Sequence, residues 1–128
     1  MATFEIEGIP QLRAALTRAG QRAPLAMASA LVIEAEGAMR ESRELVPVDQ
    51  GTLKGSGVVL APEISARGVT VEFGYGGAAS DYAVIQHERT DFRHKTGEAK
   101  FLEKPVLERA SGMGQRMAVT VRRFLERR

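Results

Sequence analysis

The spacing of apolar residues changes period several times along the chain, and each change predicts a new element. From Thr3 to Ile9 the pattern alternates, with Phe4 and Ile6 on one side and Glu5 and Glu7 on the other. That is the period of a short strand with one wet face. Pro10 breaks it and suits the first turn of a helix. Leu12, Ala15, Leu16 and Ala19 then form one stripe, so 10–19 reads as a short amphipathic helix stopped by Gly20.

A second helix is predicted from about Pro24 to Leu45. Leu25, Ala28, Val32, Ala35 and Met39 recur at three- and four-residue intervals, and Leu31, Ala38 and Leu45 widen the stripe. Glu34, Glu36, Arg40, Glu41, Arg43 and Glu44 are assigned to its surface side. Gly37 costs such a helix about 1 kcal/mol relative to alanine, which its length should absorb.

Val46 to Lys54 ends the helix and opens a β-rich middle. Pro47 cannot continue a helix and pushes Val46 out of the α region. Asp49 suits the capping of following N–H groups, and Gly51 permits a positive φ. Strands are expected at 57–64, interrupted by Pro62, at 69–73 and at 82–86. The 82–86 strand is apolar on both sides and is expected at the centre of the sheet. Segments 74–80 and 89–100 lack a period and read as mobile loops. Phe92 is the one large apolar group of the second, beside Arg93 and His94, and the three are candidate partner contacts. A last helix is expected from about Glu103 to Glu126, striped by Leu107, Ala110, Met117, Val121 and Phe124 or Leu125. Gly112 and Gly114 weaken its middle. The order predicts a single α+β domain over 1–128: a small antiparallel sheet packed against a long central helix and a C-terminal helix.

Composition narrows the chemistry. The chain has 128 residues, no Cys and no Trp, so its core is aliphatic and thiol chemistry is excluded. No apolar run approaches the ~20 residues of a membrane span, and the first residues do not resemble a signal peptide. The formal charge is only +2, but 101–128 holds seven Lys or Arg against three Glu. Within it Arg116, Arg122, Arg123, Arg127 and Arg128 are candidate DNA-facing residues. Arginines also suit a helix C-terminus for electrostatic reasons alone.

Catalytic signals are weak. His87 and His94, with Glu88 and Asp91, lack the spacing of a metal pair on one helical turn. His87 and Glu88 are adjacent on a predicted strand and so point to opposite faces. Gly55-Ser56-Gly57 and Gly74-Tyr75-Gly76-Gly77 lack the ending of a phosphate-binding loop. No catalytic, metal or cofactor residue is assigned.

Three separated segments resemble a known family. They are Val46–Leu53, carrying Pro47, Asp49, Gly51 and Leu53; Asp81–Glu88, carrying Tyr82, Ala83 and Glu88; and Ala99–Pro105, carrying Phe101, Leu102 and Pro105. In this order they resemble the tail-completion or minor-capsid proteins of the head–tail joining region of tailed phages. Two departures are Gln50, where the family often has Thr, and Arg89-Thr90, where it has Gly-Thr. The resemblance implies a structural virion protein of the neck without catalysis or cofactor. Its implied partners are connector, stopper, tail terminator or tail tube proteins and further copies in a ring, with non-specific genome contact as an added possibility. It implies assembly in the bacterial host cytoplasm. Two other readings stay open from the residues: a small DNA-binding or toxin–antitoxin-type module, and a small hydrolase using His87 and Glu88.

Overall fold

In a computed structural model, the described residues are 2–4, 7–46, 55–76, 81–88, 91–96 and 100–126. Side chains are described for 7–46, 55–76, 83–86 and 101–126. The elements run β1 (Ala2–Phe4), α1 (Ile9–Ala19), a 3-10 turn (Gly20–Arg22), α2 (Ala23–Leu45), β2 (Val58–Val59), β3 (Glu63–Ser65), β4 (Gly68–Tyr75), β5 (Asp81–Glu88), β6 (Asp91–Thr96), α3 (Lys100–Ala110) and α4 (Met113–Glu126). The architecture is the expected α+β one.

The sheet is antiparallel in the order β1-β6-β5-β4-β2, with β3 also paired to β4. Every strand pair is antiparallel, and Val71 stands opposite Ile85 and Phe73 opposite Ala83. Val69, Val71, Phe73 and Tyr75 are buried on one face, with Ala83 and Ile85 beside them. Glu72 between them is exposed, and Val84 and Gln86 are half-buried. The sheet thus has one covered face. β5 is central in the order, as its sequence predicted, but only its Ala83–Ile85 side is fully buried.

Two strand expectations need correction. The segment 89–100 is not a loop throughout: 91–96 forms β6, which bridges β1 and β5. Phe92, Arg93 and His94 are therefore strand residues, and Phe92 is the register partner of His87. Their mixed polarity hid the strand, because backbone pairing on both sides can override a weak side-chain pattern. In the 74–80 segment, Gly74 and Tyr75 continue β4 and are buried. Residues 77–80, 89–90 and 97–99 lie outside the described residues.

The helices follow the sequence more closely. α2 ends where Val46 adopts an extended backbone, φ −71° and ψ 126°, as the proline after it requires. Its many alanines, with Ala26, Ala30, Ala35 and Ala38 fully buried, let neighbouring elements approach closely. The stripe was misjudged at its ends: Leu25 and Leu45 are exposed, while Met27, Leu31 and Met39 are core. The expected C-terminal helix divides at Ser111–Gly112, where Gly112 takes φ +76°. Its first half starts earlier than expected and buries Leu102 and Val106, leaving Leu107 exposed.

α1 and α4 lie side by side and parallel. Their N-terminal ends meet where the Gly114 N–H donates to the Glu7 carbonyl at 2.7 Å. Their C-terminal ends meet where Arg22 reaches Phe124 and Leu125. A Cβ on Gly114 would lie 2.3 Å from the Gly8 carbonyl carbon, so the crossing admits no side chain there. α2 and α3 lie over the sheet, and α4 packs against α2.

Candidate functional site

The most developed polar constellation lies between helices. Glu34 of α2, assigned to the surface from sequence, is only 3% exposed. Arg116 of α4 grips its carboxylate through Nη2 to Oε1 at 2.8 Å and Nε to Oε2 at 3.2 Å. This is a bidentate, charge-assisted pair. Arg109 of α3 adds Nη2 to Glu34 Oε2 at 3.2 Å and donates Nη1 to Glu41 Oε1 at 2.8 Å. Arg116 also donates to the Arg109 and Ser111 carbonyls, so it closes the C-terminal end of α3.

Gly37 makes room for this arrangement. A Cβ there would sit 2.6 Å from the Arg109 guanidinium carbon. The helix-weakening glycine is thus explained by the cation lying on it. Arg109 Nε is buried and finds no hydrogen-bond partner among the described residues. Both oxygens of Glu34 are held by cations. What the group does is tie α2, α3 and α4 together.

The spacing held a signal for this. Glu34 follows Ala30 by four residues and precedes Ala38 by four, so it stands within a buried row. An acid inside an alanine row requires a cation on a neighbouring element.

A second buried polar pair anchors α2 to the sheet. The Tyr75 hydroxyl donates to Ser42 Oγ at 2.7 Å. Burial pushes the Tyr75 phenol above its ordinary range, partly offset by the Ser42 hydrogen bond and by the Arg43 cation.

The anticipated site residues are distributed as follows. Pro47, Asp49, Gly51 and Leu53 lie outside the described residues. Ala83 is buried in the middle of β5, and Tyr82 and Glu88 lie on the same strand. Phe101 is half-buried, while Leu102 and Pro105 are buried in α3. His87 and Glu88 are consecutive β5 residues, opposite Val69 and Gly68. The Arg116 guanidinium is paired with Glu34. Arg122 and Arg123 are exposed, and Arg127 and Arg128 lie outside the described residues.

A cavity of about 310 Å³ opens between the α1–α2 corner and the β3–β4 turn. Its walls include Leu16, Pro24, Met27 and Val69 and carry no charged side chain. Among the described residues, no three His, Asp or Glu side chains are grouped to hold a metal, and no helix is long and apolar enough to cross a membrane. Comparisons with family models, curated proteins and solved structures return no match.

Proposed function

We propose that the chain is a structural assembly protein of the phage neck that helps complete the joint between head and tail, acting by contact and not by catalysis. The reading starts from the three ordered segments that resemble that family. The observation that carries it further is the sheet edge formed by β2 and β3. Val58, Leu60 and Ile64 are all exposed there, at 44%, 48% and 46%. An exposed apolar sheet edge is a template for another chain, and β-strand addition is a common means of joining subunits. The ion-paired helical layer behind the sheet supplies the rigidity that a ring subunit needs. On this reading the partners are further copies in a ring and the adjoining connector, stopper, tail terminator or tail tube protein.

The test is genetic and visual. A phage carrying a stop codon in this gene is expected to accumulate DNA-filled heads and separate tails in electron micrographs. Supplying the chain in trans should restore joined particles. Supplying a Leu60→Lys/Ile64→Lys variant, folded by circular dichroism, should not. Joined, infectious particles made without the chain would overturn the proposal.

A further inference from the structure

The fold gathers arginines that are far apart in sequence. No Asp or Glu occurs from Gly8 to Ile33, and none from Arg109 to Leu125. These two acid-free stretches contain α1 and all of α4 but its last residue, Glu126. Their C-terminal ends are fastened by Arg22, which donates Nη1 to the Leu125 carbonyl at 3.3 Å and Nη2 to the Phe124 carbonyl at 3.2 Å. The Arg22 guanidinium also lies 5.1 Å from the centre of the Phe124 ring. Arg22 is thereby occupied as a cap on α4, opposing its dipole.

The same junction places Arg18, one turn before Arg22, at the same end of the helix pair as Arg122 and Arg123, which immediately precede Phe124. All three are exposed. None has an ion-pair or hydrogen-bond partner among the described residues. This sets them apart from Arg109 and Arg116, whose charge Glu34 and Glu41 meet. Glu126 is the one acid at this end of the described chain, and Arg127 and Arg128 follow it in sequence.

We infer that this end of the α1–α4 pair, centred on Arg18, Arg122 and Arg123, binds the phosphate backbone of double-stranded nucleic acid without reading its sequence. The cations are all arginines, whose planar fork suits phosphate oxygens. The duplex is favoured over a single strand because Phe124, the aromatic at the site, is half-buried and has Arg22 over its ring, which takes up a face that a base would stack on. A second copy of the chain is a poorer occupant. Its exposed carboxylates on α2 and α3, Glu36, Glu44 and Glu108, are interleaved with Arg40 and Lys104 and make no unbroken acidic face. The inference does not rest on the neck reading. Heads and tails that join normally while duplex binding is lost would separate the two.

The experiment uses the full chain and a labelled 30-base-pair duplex of arbitrary sequence, followed by fluorescence anisotropy at several salt concentrations. Binding is expected to weaken linearly in log–log form, by close to one unit of slope for each phosphate neutralised. Arg18→Gln/Arg122→Gln/Arg123→Gln should flatten that slope by about three and lower affinity at least tenfold at low salt. Its thermal unfolding should match the parent, which separates lost contact from lost fold. Arg40→Gln, on exposed α2, should leave the slope unchanged. Absence of salt-dependent duplex binding would overturn the inference. So would an unchanged slope in the triple variant, an equal drop in Arg40→Gln, or capture by anionic vesicles or by a second copy in place of the duplex.

Discussion

Arg116 and Arg122 stand six residues apart on one helix and have opposite surroundings. Arg116 holds a buried carboxylate and the carbonyls of Arg109 and Ser111 at the end of α3, while Arg122 is exposed and has no partner among the described residues. The residue type and the helix are the same, with Arg116 in the first turn of α4 and Arg122 nearer its C-terminal end. The difference comes from α2, which places Glu34 against Arg116, whereas Arg122 has no acidic partner among the described residues. A basic helix read alone therefore merges two functions: fastening helices and presenting charge.

The largest expected effect breaks the fastening side. Glu34→Gln would leave Arg109 and Arg116 facing a neutral amide in a site that is 3% exposed. Removing one member of a buried charged group costs about 3–5 kcal/mol. Urea unfolding should show that loss with an unchanged denaturant slope. Glu34→Met/Arg109→Met should recover much of it, because an apolar replacement leaves fewer buried charges unmatched. A loss below about 1 kcal/mol in the single variant would mean that the cluster behaves like a surface pair.

The sequence made some of this visible and concealed the rest. The helical periods of α1 and α2, the β4 alternation and the interruption at Pro62 were all legible, because each is written in consecutive residues. β6 was not, since Asp91-Phe92-Arg93-His94-Lys95-Thr96 has neither period nor apolar run. Its strand character comes from pairing with β5 and with β1, the latter far away in the chain. The cation cluster was half legible for the same reason. Arg122 and Arg123 stood out in the basic C-terminal segment, but Arg18 joins them only through the packing of α1 on α4. The pairing of Arg116 is invisible in the sequence because its anion lies 82 residues earlier.

The meeting of α1 and α4 offers a second way to sharpen the comparison, since it sets how the helices carrying Arg18 and Arg122 lie side by side. Gly114→Ala places a Cβ 2.3 Å from the backbone of Gly8, where no flexible side chain can yield. Overpacking of this kind costs about 1–3 kcal/mol. The thermal midpoint should fall accordingly, and duplex binding should weaken although no charge has changed. Retained stability would show that the two turns part without cost.

The Tyr75–Ser42 pair tests a neutral counterpart of the Glu34 group. Tyr75→Phe leaves the Ser42 hydroxyl without its donor and should cost about 1 kcal/mol at neutral pH. The folded phenol titrates above its ordinary value of 10.0, with burial the main cause. The unfolded chain therefore loses this proton first as pH rises. The stability linked to Tyr75 is fully present below pH 10 and declines as pH climbs through the higher folded value. Tyr75→Phe should remove that part of the alkaline decline, seen as a smaller loss of unfolding free energy between pH 9 and about 11 than the parent shows. Parallel pH profiles would contradict a buried phenol.

The smallest effect is the most discriminating for the opening contrast. Arg122→Gln and Arg123→Gln remove exposed, unpaired cations, so each should change stability by no more than about 0.5 kcal/mol. Arg116→Gln, on the same helix, removes a charge-assisted grip on Glu34 and should cost about 1.5–3 kcal/mol. Duplex binding should rank the variants the other way, with Arg122→Gln and Arg123→Gln each reducing the salt slope by about one and a folded Arg116→Gln reducing it little. This reversal between two measurements is what two separate roles require. A single ranking in both would mean that α4 presents one undifferentiated basic surface, with Arg116 part of it.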